Sequence, residues 1–180
     1  MKKNLIALLV VLALVTVGVF AVDNASFDVK TSVAGINEMR LTAAKFTGTT
    51  KAAFTSAAGY AGPLTITTNL ENENFAYIST LSNSRVGYKV TMSATAMKST
   101  VGSVDAFIHY TVTAAGESVD TSGADQGPGS DAKVIINTLA GMDAVASQSH
   151  AISLDVDPVT FDAAVEGEYT GTVTFTWTTS

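Results

Sequence analysis

His109 and His150 are the only imidazoles in the 180-residue chain, which has no cysteine. An imidazole can act as a general base or bind a metal, but these two lie far apart with no neighbouring ligand pattern. Each reads as a structural or surface residue. Without a thiol the chain has no disulfide framework, no thiolate metal site and no cysteine nucleophile. Carboxylates offer a second chemistry: Asp155 and Asp157 share one side of an alternating stretch and could hold Ca²⁺, as could Asp120, Asp125 and Asp131. Neither set has the spacing of a calcium loop, which favours solvated acids. Gly129-Ser130-Asp131 places a hydroxyl beside a carboxylate, yet it sits in the Gly, Ser and Asp-rich stretch 118–131 rather than in a strand-turn-helix elbow. Asn24-Ala25-Ser26 fits the N-glycosylation acceptor pattern. Tyr60, Tyr77, Tyr88, Tyr110, Tyr169 and Trp177 could stack on a sugar, but most lie at the inward parity of a readable strand, which favours core packing. The chain therefore reads as a non-enzyme, with no catalytic residue, metal ligand or cofactor site assigned.

The elements that would position any site are strands. Hydrophobic residues make up 47% of the chain and charged residues 14%, which excludes a disordered tail, a collagen and a coiled coil. Ten basic residues against 16 acidic ones give a formal charge of -6 and no basic stripe, so nucleic acid is not an expected partner. Lys2, Lys3, the apolar run from Leu5 to Val15 and Val19-Phe20-Ala21 read as a signal peptide, residues 1–21, cut after Ala21. Its removal takes two lysines and no acids, so the formal charge falls to -8. The alternative is an uncleaved anchor, since the apolar stretch approaches spanning length; no second such stretch follows. The product is expected to be exported, to the periplasm, cell surface or medium, with no membrane span after cleavage.

In residues 22–180, read as one domain, apolar and polar residues alternate with period two through Val, Ile, Thr, Tyr and Phe. Phe27, Val29, Thr31 and Val33 form one face of a first strand, and Leu64, Ile66 and Thr68 begin another after Gly62-Pro63. Val86 to Ala96 alternates throughout, Ile108-Tyr110-Val112 and Ile152-Leu154-Val156 are further strands, and Val134 to Leu139 is apolar on both faces, as in a central strand. At the C-terminus Tyr169, Gly171, Val173, Phe175 and Trp177 oppose a face of threonines. Ala43 to Ala58 has alanines enough for a short helix, interrupted at Thr47-Gly48-Thr49-Thr50. Short strands with no long helix between them predict an all-β, immunoglobulin-like antiparallel β-sandwich.

The two ends suggest assembly. A sandwich lacking its last strand leaves a groove between strand edges that another chain can fill by strand addition. Val22 to Val33 has the form of the donor and Gly167 to Thr178 that of the groove wall. These segments, with Asn83 to Ala96, resemble the fimbrial (pilin) subunits of the chaperone–usher type, especially the cysteine-free colonisation-factor kind, and the related spore coat protein U-like secreted domains. The final Gly167-Glu168-Tyr169-Thr170-Gly171-Thr172-Val173-Thr174-Phe175-Thr176-Trp177 is similar to their last strand, with Thr179 where many have an aromatic. The resemblance implies that Phe27, Val29, Thr31 and Val33 are donors, that Val173, Phe175 and Trp177 line the acceptor together with the Gly167 and Tyr169 end, that copies self-associate into a homopolymer, and that a periplasmic chaperone reads the C-terminal strand. Two other readings stay open: a monomeric immunoglobulin-like module binding a glycan or envelope partner, and a small outer-membrane barrel, which lacks the expected aromatic girdles.

Overall fold

The computed structural model describes residues 28–68, 73–123, 132–138 and 142–179. The chain divides into two compact units, 1–33 and 34–180. Of the first, only 28–33 are described. They belong to no helix or strand, and Val29 and Val33 are 82% and 81% exposed. The expected first strand is thus not formed there, because no ladder partner among the described residues satisfies its backbone. The signal peptide, the Asn24 sequon, Phe27, the Gln126 to Gly129 loop, Ser130 and Leu139 lie outside the described residues.

The second unit is an all-β sandwich of antiparallel sheets. Its strands are β1 (Asn37–Thr42), β2 (Glu73–Ser82), β3 (Tyr88–Ala94), β4 (Met97–Val101), β5 (Val104–Ile108), β6 (Tyr110–Ala114), β7 (Glu117–Asp120), β8 (Lys133–Thr138), β9 (Ala146–Val156) and β10 (Val173–Thr179). Five strands make one sheet in the order β1-β2-β9-β6-β7, three make a second in the order β10-β3-β8, and β4 and β5 form a hairpin. The hairpin bridges the sheets, since β3 runs through Thr95 and Ala96 into β4, and β5 runs through His109 into β6. Two short helices complete the unit, α1 (Lys51–Ser56) and α2 (Pro158–Asp162).

Alternation decides which residues meet. Ala76 and Ile78 of β2, Val112 and Ala114 of β6 and Ile152, Leu154 and Val156 of β9 pack in one core with Tyr88, Val90, Met92 and Ala94 of β3. The single-parity face read from Val86 to Ala96 is buried from Tyr88 onward, while Val86 is exposed. The run expected to be central, Val134 to Leu139, instead places β8 at the edge beside β3. Val90 pairs with Ile136 and Thr91 with Val134, leaving Ile135 as the extra residue of a bulge. The bulge lets Ile135 and Ile136, adjacent in sequence, both be buried, and leaves Val134 45% exposed. The expected helix in 43–58 shrinks to α1, whose N-cap Thr50 accepts from the Ala53 amide at 3.2 Å, because Gly48 and Thr49 cannot extend it.

The 43–58 segment docks on the other face of β1, β2 and β9. Buried Thr42 and Ser79 share a 2.8 Å hydrogen bond, Ser79 and Ser149 share one at 2.9 Å, and the Phe46 amide donates to Ser149 Oγ at 3.1 Å. Arg40 Nη1 donates to the Phe54 and Thr55 carbonyls at 2.9 Å each, and Phe54 meets Phe46 edge-on. Between β6 and β7, Ala115 and Gly116 have φ of 55° and 84°, the geometry of a two-residue hairpin turn with both residues left-handed. Among the described residues no helix is long and apolar enough to cross a membrane.

Candidate functional site: an open groove between two sheet edges

Among the described residues β10 pairs with β3 alone, so its other edge is unpaired, while the outer edge of β1, which lies near it, is bridged at its end where Thr42 meets Gly59 and the Tyr60 amide donates to the Leu41 carbonyl at 3.1 Å. A cavity of about 1010 Å³ opens along that side. Its floor is Ile108, Tyr110, Ile152 and Leu154; one wall is Gly167 to Val173 with Phe175, and the other is Leu41, Tyr60 and Pro63 to Ile66. A smaller space of about 300 Å³ continues it between Met39 and Leu41 of β1 and Val173 and Phe175 of β10. The groove is lined mainly by apolar side chains and has the edge of β10 along one side, features that strand addition uses.

Local sequence explains each wall. Thr170 and Lys98 exchange backbone hydrogen bonds at 3.0 Å, and the Thr95 amide donates to the Thr172 carbonyl at 3.0 Å. Two residues at the β3–β4 junction, Ala96 and the first residue of β4, Met97, thus oppose the single residue Gly171. A Cβ on Gly171 would lie 2.9 Å from the Thr95 carbonyl oxygen and 3.0 Å from Met97 Cγ, so only glycine allows the wall to approach so closely. Gly167 is less confined: a Cβ there would lie 2.5 Å from Ser99 Oγ, the tip of a side chain that can turn away. Beyond Thr172 the antiparallel ladder alternates, which turns the N–H and C=O of Val173 and Phe175 away from β3 and toward the groove. Their side chains are half-buried, while Thr174, Thr176 and Thr178 are exposed on the outer face.

On the facing side, Asn74 pairs with Ser153 and Ala76 with Ile152, so Phe75 is the extra residue of a bulge and turns into the groove. It packs on Tyr60 with ring centroids 5.6 Å apart. Asp157 caps α2, its Oδ1 accepting from the Val159 amide at 3.0 Å, and so places Phe161 at the groove's end. Burial pushes the Tyr110 hydroxyl up to about 12. The rim is acidic: Glu166 and Glu168 are exposed, and among the described residues neither forms an ion pair.

Of the residues read as an acceptor, Gly167, Tyr169, Val173 and Phe175 line the groove. Trp177 lies apart from that lining: its ring stacks on Tyr88 at 3.9 Å and 9°, with Nε1 buried and unpartnered. Val29 and Val33 are exposed, and so is Thr31. Leu41, Phe75, Met97 and Phe161 were not singled out in the sequence; the Met39-Leu41 alternation against Glu38 and Arg40 was the one signal available for that wall.

The residues considered for chemistry have other uses. His109 Nδ1 lies 3.0 Å from the Thr121 carbonyl, and its amide donates to Thr160 Oγ1. Desolvation, then the nearby Lys45 charge, lower the pKa of half-buried His150. Asp120 Oδ1 accepts from the Ser122 amide at 2.8 Å. Among the described residues no three acids or histidines group as a metal site. Of the aromatics weighed as a sugar platform, Tyr88 and Tyr110 are core residues, whereas Tyr60 and Tyr169 face the groove. No protein-family model matches the chain, and no curated protein matches it in sequence.

Proposed function

We infer that the chain is an exported structural subunit, an immunoglobulin-like sandwich that polymerises on the cell envelope by strand addition. The observation that carries this reading is the groove beside the edge of β10, which is unpaired among the described residues, together with an exposed, alternating segment, Val29 to Val33, that has no strand partner among them. Residues 22–33 of one copy enter the groove of the next, Val29, Thr31 and Val33 pointing inward with Phe27 ahead of them. In this reading Val173 and Phe175 supply side chains and edge hydrogen bonds, and Trp177 holds β10 on β3. A periplasmic chaperone would cover the same edge before assembly.

The test is to express the full chain, collect the processed protein and compare unheated with boiled samples on SDS gels. A ladder of multimers that collapses to one band only on boiling supports strand addition. One monomeric band under both conditions, with cooperative unfolding of the purified protein, would overturn it in favour of a self-contained binding module.

A further inference from the structure

Tyrosine hydroxyls in this sandwich are put to different uses. Tyr88 Oη shares a 2.8 Å hydrogen bond with Thr80 Oγ1, and Tyr169 Oη donates to the Val165 carbonyl at 3.0 Å. Tyr110 is 3% exposed and lines the groove floor, yet all its hydrogen bonds among the described residues are made by its main chain. Among those residues Trp177 Nε1 is the one polar side-chain atom both enclosed and unpartnered. The Tyr110 hydroxyl, also unpartnered, is therefore not enclosed, and the space it opens onto is the groove. Burial raises its pKa to about 12, so it stays a neutral donor at physiological pH. A donor held in apolar surroundings with nothing to accept from it is costly, and an acceptor brought in by a ligand removes that cost.

We propose that the floor of the groove binds an uncharged, long-chain ester or ketone, whose carbonyl oxygen accepts from the Tyr110 hydroxyl and whose hydrocarbon body lies against the apolar walls. The inference goes beyond the assembly reading and does not rest on it, because it concerns the groove of a single copy. Three features set the class of ligand. The cavity of about 1010 Å³ reaches the upper end of the range of small-molecule sites, about 300–1,000 Å³, and Ile108, Leu154, Phe75 and Phe161 give it the apolar lining such sites have. The Tyr110 hydroxyl is a single donor in that lining, which suits one carbonyl and not the many hydroxyls of a sugar. On the rim, Glu166 and Glu168 are exposed and form no ion pair among the described residues, in a chain of formal charge -6. Two uncompensated carboxylates repel a fatty carboxylate or a phosphate ester and leave an uncharged molecule unaffected.

Calorimetric titration of the single-copy fraction of the full processed chain tests this, with methyl decanoate and decanoate as probes. The ester should bind, and decanoate should bind at least about tenfold more weakly at neutral pH. Glu166→Gln combined with Glu168→Gln should narrow that gap to less than about threefold. Tyr110→Phe keeps the ring and removes a hydroxyl that has no protein partner, so its Tm should not fall while its affinity for the ester drops about fivefold. In the infrared, the ester carbonyl stretch should move to lower frequency on binding to the unaltered chain and stay in place with Tyr110→Phe. An ester that does not bind, or that binds Tyr110→Phe as tightly and with the same carbonyl stretch, would overturn the proposal. Decanoate binding as tightly as the ester would overturn the assignment of an uncharged ligand.

Discussion

Replacing Val29 and Val33 together by aspartate separates assembly from folding. Both side chains are almost fully exposed in the single copy, at 82% and 81%. Substitutions at such positions normally change folding stability by no more than about 0.5 kcal/mol. In an assembled fibre the same two valines would be buried in the neighbour's groove, each gaining about 1.5–3 kcal/mol. The pair therefore contributes at least about 3 kcal/mol per junction, and an aspartate adds the cost of desolvating a carboxylate. Because 1.4 kcal/mol is a tenfold change in affinity, each junction should weaken by at least about a hundredfold. Size-exclusion chromatography at fixed concentration and thermal unfolding of the monomer read the two effects separately. The expected result is loss of multimers with the monomer Tm unchanged. Multimers that survive the double substitution would refute the assignment of these donors. A monomer Tm lowered by many degrees would show that residues 29–33 belong to their own copy's core.

Trp177→Ala should destabilise the domain by less than the about 3–5 kcal/mol of a fully buried aromatic, because Trp177 is half-buried, while still losing its stack on Tyr88. Trp177→Phe should cost far less, because it also removes the unpartnered buried Nε1, a group whose burial costs about 1–3 kcal/mol; chemical denaturation compares the two. Ala115→Asn should raise Tm, because alanine at φ 55° pays for a left-handed backbone that asparagine adopts more readily. His150 has a lowered pKa, so the unfolded chain takes up its proton first as pH falls below the ordinary histidine value. Its contribution to stability is present above that value and lost on acidification, and His150→Gln should flatten this part of the pH–stability profile measured by denaturant titration.

Much of the fold was legible because burial and alternation coincide. Tyr88 to Ala96, Ile152 to Val156 and Val173 to Trp177 each bury one parity, and a two-faced strand leaves that mark whatever its partners are. Pairing leaves no such mark. Leu64 and Ile66 alternate as clearly as Val173 and Phe175, yet only the latter sit in a ladder. β8 read as central because Ile135 and Ile136 are both apolar, and the bulge that buries both depends on its partner β3. The groove was half legible: its β10 wall follows from the terminal alternation, whereas Phe75 and Phe161 reach it through a bulge and a capped helix turn. Trp177 shares the parity of Val173 and Phe175 but packs farther along the strand on Tyr88, a distinction set by position and not by pattern.

The central claim concerns which copy contacts which, and the cysteine-free chain makes that directly measurable. Two preparations, one with Val29→Cys and one with Phe175→Cys or Val173→Cys, would be unfolded together, refolded together and oxidised mildly. A disulfide requires Cα atoms within about 7 Å, so it forms only where the two segments meet. Strand addition predicts a covalent band of twice the monomer mass that joins the two differently marked copies. Val134→Cys, on the far strand β8 of the same sheet, should give none. Cross-linking found only when both cysteines are in one chain, or equal yields at Val134 and at Val173 or Phe175, would contradict the account.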